Sequence, residues 1–513
     1  MNRAAELRWA CIAASCAACA LGFATLSPVP VGAFWDDAVY VILGKAIATG
    51  EGYRYIHLPG EPAATLYPPL WPTLLSFVWR VSPEFPENVR VMRLINPLLL
   101  GVTAVGATLL STQLARVRPW IAALAALACI SVTPTLMVSS GLMSEPLGTA
   151  LTAFALIAAT ATVMRGGTRE GVAAGLLVAL AVLARSVSVV LSASLAVGLF
   201  WTRSRRASAV SLAVAVPPIA SWFLWSTVRS DELPAAIAGS YGSYARWMLG
   251  AYGADPLLAI EVAQTNAATI IRELGIVVFG VLPAAVRPML TVSLVALTFA
   301  CALTAGRRAA PLAATLGAYA ALVLVWPYNP GRFVWAFLPF AAVALVAGLS
   351  AAKRRLRHRR WQMTGVRAAI GLAALAGFTL AIGDVRGLRH RAHANALERN
   401  AQSVLTPLAW IERNTAAADT IATDLHLYAH LYLDRIAVPL STLTAREYLH
   451  PKTIDEMRAE LRSIDSVFRP AWFVASGGTA QSSALRAWAA VEPSRFVAKL
   501  PLPAGGVALR TVR

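Results

Sequence analysis

Charge is what this sequence has least of. Only 14% of its 513 residues are charged, against about a quarter in a typical soluble domain. Hydrophobic residues make up 57%, and mean hydropathy is +0.61. That excludes a single soluble globule and gives membrane composition. Acids are scarcer than bases, 26 against 45. The basic surplus is not one continuous face of the kind nucleic acid selects, so nucleic acid is not an expected partner. It comes in short clusters between apolar runs: Arg116 and Arg118; Arg165 and Arg169; Arg203, Arg205 and Arg206; Arg307 and Arg308; and 353–360. This is the pattern of the positive-inside rule. Cysteine is scarce as well. Cys11, Cys16, Cys19, Cys129 and Cys301 all sit in apolar segments without metal spacing, which excludes a disulfide framework. There is no internal repeat and no low-complexity tract.

What is present is a succession of apolar runs. Residues 9–27 are about long enough to span a bilayer. A cleaved signal peptide, with small residues near Ala33, is the rival reading; the length of the run favours a retained helix. The basic clusters then place crossings near 92–113, 119–137, 147–164, 207–228, 274–305, 311–326, 333–350 and 365–382. The 274–305 crossing is broken at Pro283 to Pro288. Residues 171–201 lie between two basic clusters and make two short crossings or none, with Arg185 near the outer bend. The count reaches eleven, with the N-terminus cytoplasmic. A loop at 28–91, a turn at Glu145, a long polar loop at 229–273, a turn at Arg332 and the tail then all lie outside. The expected fold is an α-helical polytopic membrane protein, with a transmembrane domain at 1–383 and an extracytoplasmic α/β domain at 384–513. In the tail, 408–414 reads as a helix, 420–423 and 471–475 as strands, and Gly477-Gly478 as a turn. The Ala- and Arg-rich usage is that of a bacterium with GC-rich DNA, and the location that of a multi-pass protein of its plasma membrane.

The stretch 34–79 concentrates the chemistry. Asp36 and Asp37 open a short helix ending at Gly50. One reading is capping, Asp36 at the N-cap and Asp37 in the first turn. The other is catalysis, one carboxylate taking a proton while the other orients the acceptor or binds a metal; adjacent helical positions point about 100° apart and do not share a task. Tyr67-Pro68-Pro69-Leu70-Trp71-Pro72 is stiffened by its prolines, and is either an interfacial anchor or a wall beside the acids. Glu145 opens a helix that re-enters the membrane. An acid there is costly and points to function, although it also suits the helix dipole. Arg332, after Trp326-Pro327-Tyr328-Asn329-Pro330-Gly331, suits a phosphate clamp or a snorkelling helix end. Arg185, Lys45 and Arg54 are further candidates for phosphate, and His57, Tyr244 and Trp247 for the lining of a substrate site. His426 and His430 are spaced for zinc, but no catalytic glutamate stands between them; a structural role is the better reading. Hard divalent cations (Mg, Mn or Ca) would suit Asp37 and Glu145; no other cofactor is implied.

Taken together, these residues resemble the GT-C class of membrane glycosyltransferases, and within it the bacterial relatives of the protein O-mannosyltransferase and aminoarabinose transferase family. The resemblance rests on Asp36-Asp37 after the first helix, Pro68-Pro69-Leu70, Glu145 in SEPL, and Arg332-Phe333 leading to Leu338-Pro339-Phe340. It covers most of residues 1–382. Two departures stand out: Asp37 where that family often has Glu, and Tyr67 where a phosphate-binding Lys often precedes the prolines. The resemblance implies transfer of a sugar from a polyprenyl-phosphate donor to an envelope lipid, glycan or protein outside the membrane. It implies inversion, with Asp36 as base, Arg332 taking over phosphate contact, and Asp37 and Glu145 orienting acceptor or metal. A lipid-linked sugar flippase and a non-catalytic envelope assembly protein are the alternatives.

Overall fold

The computed structural model describes residues 2–356, 360–502 and 505–512, with the side chains of 360–362 set aside; the 357–359 part of the last basic cluster lies outside the described residues. Seven helices among them are long and apolar enough to cross a membrane: Arg3–Ala24, Val89–Leu114, Glu145–Arg165, Arg205–Glu232, Ala284–Thr304, Gly331–Leu356 and Met363–Arg389. A bent pair of helices passes the same test only when taken together. Pro119–Ile130 and Thr133–Ser140 meet at 67° where a straight crossing at 119–137 is expected, and Pro134 in the first turn of the second piece fits a break there. The other expected crossings fall on shorter apolar segments, Thr168–Ala184, Ser186–Phe200 and Ala310–Leu324. Arg185 sits in extended backbone between the first two. The chain is thus a polytopic helical membrane protein.

The long polar loop expected at 229–273 is instead helical: Ala235–Tyr241, Tyr244–Ala254 and Pro256–Phe279. Its alanines and leucines favour helix, and its polar residues occupy only part of each helix surface.

Compactness groups the residues into two units, each assembled from separate stretches. The first comprises 1–27, 93–222 and 260–394. Its helices pack through small residues, as membrane helices do. A Cβ on Gly101 would stand 2.4 Å from Cys19 Sγ, and one on Gly348 would stand 2.3 Å from Cys301 Cβ. All five cysteines are free, and these two act as small packing residues.

The second unit comprises 28–92, 223–259 and 395–513. The expected 1–383 and 384–513 division therefore does not coincide with compactness: the loop after the first helix, part of the 229–273 stretch and the tail belong together. The tail is α/β. It carries a five-stranded mixed sheet of β1 (Ile421–Thr423), β2 (Ala437–Val438), β3 (Trp472–Ala475), β4 (Phe496–Leu502) and β5 (Gly506–Thr511), in the order β2-β1-β3-β5-β4. The first three strands run parallel, and β4 and β5 form an antiparallel hairpin. Ile411, Ile421, Trp472, Val474 and Ala508 fill its core. Thr453 and Glu456 close a reciprocal capping box on the helix Ile454–Phe468. The backbone N–H of Ala437 in β2 donates to the carbonyl of His57, so the sheet edge and the loop are hydrogen-bonded inside this one unit.

Candidate active site

In the second unit the helix Asp36–Thr49 begins on a strained turn. Trp35 has φ 64 and ψ −63, and the Asp36 N–H donates to the Phe34 carbonyl at 2.7 Å, the geometry of a γ-turn. A large non-glycine residue holds such a conformation only when its surroundings impose it. Here the Trp35 ring packs edge-on against His426 at 4.6 Å. The two acids then separate in role, and the capping reading changes hands. Asp36 lies in the helix rather than at its N-cap. Asp37 performs the anchoring: its carboxylate accepts from the backbone N–H groups of Gly32, Phe34 and Ala38 at 3.0–3.1 Å. Burial nevertheless pushes the Asp37 carboxyl up to about 6, against the lowering by those N–H groups.

Asp36 is only partly buried, and Tyr67 orients it. The Tyr67 hydroxyl donates to Asp36 Oδ1 at 2.6 Å, a charge-assisted bond. Tyr67 is fixed in turn by Tyr53, which donates to its carbonyl at 2.7 Å, and by the ring edges of Tyr40 and Tyr244. Pro69 precedes the helix Leu70–Val81, whose Trp71 is completely buried. Pro68 is buried beside Tyr67. The lesser candidates already have protein partners. Lys45 pairs with Asp434 at 3.6 Å, Arg54 donates to the Glu61 carbonyl, and Trp247 donates to the Leu443 carbonyl.

Behind Trp35 lies a buried aromatic relay. His57 Nε2 and the Tyr241 hydroxyl are 2.9 Å apart, and the same hydroxyl lies 2.6 Å from His426 Nε2. His430 is buried beside them, its ring 6.0 Å from that of His57. His426 and His430, spaced for zinc, both lie buried in this cluster, His430 Nδ1 3.2 Å from the Arg435 carbonyl. Burial lowers all three imidazoles, His426 to about 3, His430 to about 4, and His57 well below its ordinary value with help from the neighbouring histidines. The sign follows from the depressed folded values. Stability is fully present above the unfolded pKa of about 6.5 and falls as pH drops below it, by roughly 2 kcal/mol per histidine at pH 5. Asp37 works oppositely, since its raised pKa favours the fold at low pH and loses that contribution as pH rises through about 6. Three groups outweigh one. The melting temperature of the purified protein is expected to fall between pH 7 and pH 5, and an unchanged or higher value would contradict the buried neutral cluster.

The first unit carries a second polar constellation. Glu145 opens the helix Glu145–Arg165 and is buried. It forms ion pairs with Arg185 at 2.6 Å and Arg332 at 3.0 Å. Gly148 permits this, because a Cβ there would meet Arg185 Cδ at 2.8 Å. Asn96 steadies the preceding turn by donating to the carbonyls of Gly141 and Met143. Phe333 lies under the Arg185 guanidinium. A hollow of about 30 Å³ beside Glu145 and Arg332, between Thr103, Thr149 and Trp335, has room for about one water.

The two residues considered for a divalent cation are both engaged with protein partners. Asp37 is committed to backbone N–H groups and Glu145 to two guanidiniums. Among the described residues no group of three or more His, Cys, Asp or Glu side chains is placed to hold a metal ion.

Sequence reasoning passes over Tyr241 as a site residue, and passes over Trp35 and Asp434 altogether. Proximity of Trp35 to the acidic pair was the one available signal, but its positive φ is a tertiary property.

This architecture defines the class: a polytopic helical membrane protein with a small C-terminal sheet domain, in a fold like that of solved ArnT. The likeness extends over nearly the whole length of solved structures of ArnT, the aminoarabinose transferase, from Cupriavidus metallidurans. The undecaprenyl phosphate-bound crystal structure superposes with a TM-score of 0.51 at 14% identity, covering 98% of each chain. The apo structure gives 0.48 at 13% identity, covering 98% of this chain and 97% of that one. No protein-family model matches the sequence, and no curated relative does.

Proposed function

We propose that the protein transfers a sugar from a polyprenyl-phosphate donor to an acceptor on the outer face of the membrane. The observation that carries this is the Asp36 carboxylate, set on a strained helix start and held by Tyr67, in a fold shared with a protein solved with undecaprenyl phosphate bound. Fold alone does not assign chemistry; an oriented, partly exposed carboxylate beside an immobile one supplies the missing argument.

In this reading Asp36 accepts the proton of the acceptor hydroxyl as its oxygen attacks the anomeric carbon. The bond from that carbon to the phosphate oxygen breaks, and polyprenyl phosphate leaves with the electron pair. Attack opposite the leaving group inverts the anomeric centre. Phosphate needs no strong general acid, so positioning and charge neutralisation supply most of the acceleration. Arg332 and Arg185, tethered by Glu145, are the assigned phosphate ligands. Glu145 acts by holding them. Tyr244 and Trp247 are assigned to the sugar. The basic end of the bundle faces the cytoplasm, and the C-terminal domain lies outside.

The test uses membranes holding the purified protein, polyprenyl-phosphate sugars labelled in the sugar, and envelope acceptors. Label moving to an acceptor with inverted anomeric configuration is expected. Label crossing the bilayer with the lipid-phosphate bond intact would identify a flippase instead. Within this reading Tyr67→Phe removes the hydroxyl that orients Asp36. Loss of a hydrogen bond to a charged group is worth about 1.5 kcal/mol or more, so kcat is expected to fall at least about tenfold. KM should hold, as measured by initial rates against donor.

A further inference from the structure

Four of the five basic clusters of the first unit contribute, with Arg3, to one hollow. Arg165 closes the helix that Glu145 opens, about 30 Å away along 21 residues. At that end lies a cavity of about 1240 Å³ lined by Arg3, Arg116, Arg165, Arg307, Arg308 and Arg354. Among the described residues no Asp or Glu lines it. Arg165 has Glu170 at 3.4 Å as counter-charge. Arg307 is set by the Val163 carbonyl and by the face of Trp201, yet its Nε is buried without a hydrogen-bond partner. Gln113, also in the lining, donates to the Ile157 carbonyl, and its Oε1 is likewise buried and unpartnered. Leu109, Ile157 and Met164 add apolar wall.

Ordinary positive-inside clusters sit apart in solvent. Here five separate stretches of chain bring like charges into a concave site, which focuses their field. Anion binding relieves that field, and basic pockets between membrane helices on the cytoplasmic side suit lipid head groups. We propose that this hollow binds the head group of an anionic phosphoglycerolipid. Its phosphate meets the guanidiniums, a glycerol hydroxyl donates to Gln113 Oε1, and its acyl chains follow the apolar wall. The apolar wall and the unpartnered acceptor favour this over free phosphate, which has neither chains nor a glycerol hydroxyl. The site stands whether or not the chain transfers sugar.

The test is native mass spectrometry of the delipidated full chain in detergent, titrated separately with phosphatidylglycerol, phosphatidylethanolamine, undecaprenyl phosphate and inorganic phosphate. Phosphatidylglycerol adducts are expected at concentrations at least tenfold lower than phosphatidylethanolamine adducts. Arg307→Gln/Arg308→Gln/Arg354→Gln should abolish the preference. Arg203→Gln/Arg205→Gln/Arg206→Gln removes the same charge outside the lining and should preserve it, with thermal melting confirming that both fold. Equal retention of the two phospholipids by the unaltered protein would overturn the proposal. So would displacement of phosphatidylglycerol by inorganic phosphate or by undecaprenyl phosphate at equal concentration, or equal loss of preference in both triple variants.

Discussion

Asp36→Asn is expected to lower the rate of sugar transfer by about 10²- to 10⁴-fold, the range for loss of a general base. The protein should still fold. An asparagine carbonyl can accept from Tyr67 as the carboxylate does, and the N–H groups of Gly32, Phe34 and Ala38 are held by Asp37. The neighbouring substitution separates the two roles. Asp37→Asn sets an amide N–H₂ against backbone N–H groups that now face a carboxylate. It should disturb the 32–38 turn, lowering stability and activity together. Initial rates and melting curves on both variants decide the matter. Activity lost without stability at position 36, and both lost at position 37, is the expected pair.

The second large effect belongs to Glu145. Glu145→Gln removes the carboxylate that neutralises Arg185 and Arg332. Breaking a buried ionic cluster by removing one partner costs about 3–5 kcal/mol, because the remaining charges stay buried. Transfer should fail as well, since the guanidiniums lose their tether. Replacing the whole cluster by apolar residues, Glu145→Leu with Arg185→Met and Arg332→Met, should recover much of the lost stability. It should not recover transfer. Thermal melting and transfer assays on both proteins test this. A triple variant that regained activity would remove the arginines from the phosphate-binding role.

Much of this was legible in the sequence, because membrane solvation leaves strong local signals. Apolar length, basic clusters and the placement of Pro146 and Gly166 around Glu145–Arg165 mark a span without tertiary information. The tail strands at 421–423 and 472–475 showed as short apolar runs beside turns. The 67° break near Ser131 and the helical 229–273 stretch were harder, since proline and polarity mark a boundary without giving its geometry. The candidate site was half legible. Asp36, Tyr67, Glu145 and Arg332 announce themselves by chemistry in apolar surroundings. Which acid anchors and which is presented depends on the Trp35 turn, and that turn depends on His426, some 390 positions away. The Tyr241 bridge between His57 and His426 has the same origin. No local pattern encodes a contact among three distant stretches.

The most direct measurement of the central claim is release of free polyprenyl phosphate from a polyprenyl-phosphate sugar by the purified protein, with an envelope acceptor present. The account predicts release in step with sugar appearing on the acceptor, and its loss in Asp36→Asn. Equal release by the unaltered protein and by Asp36→Asn would contradict it.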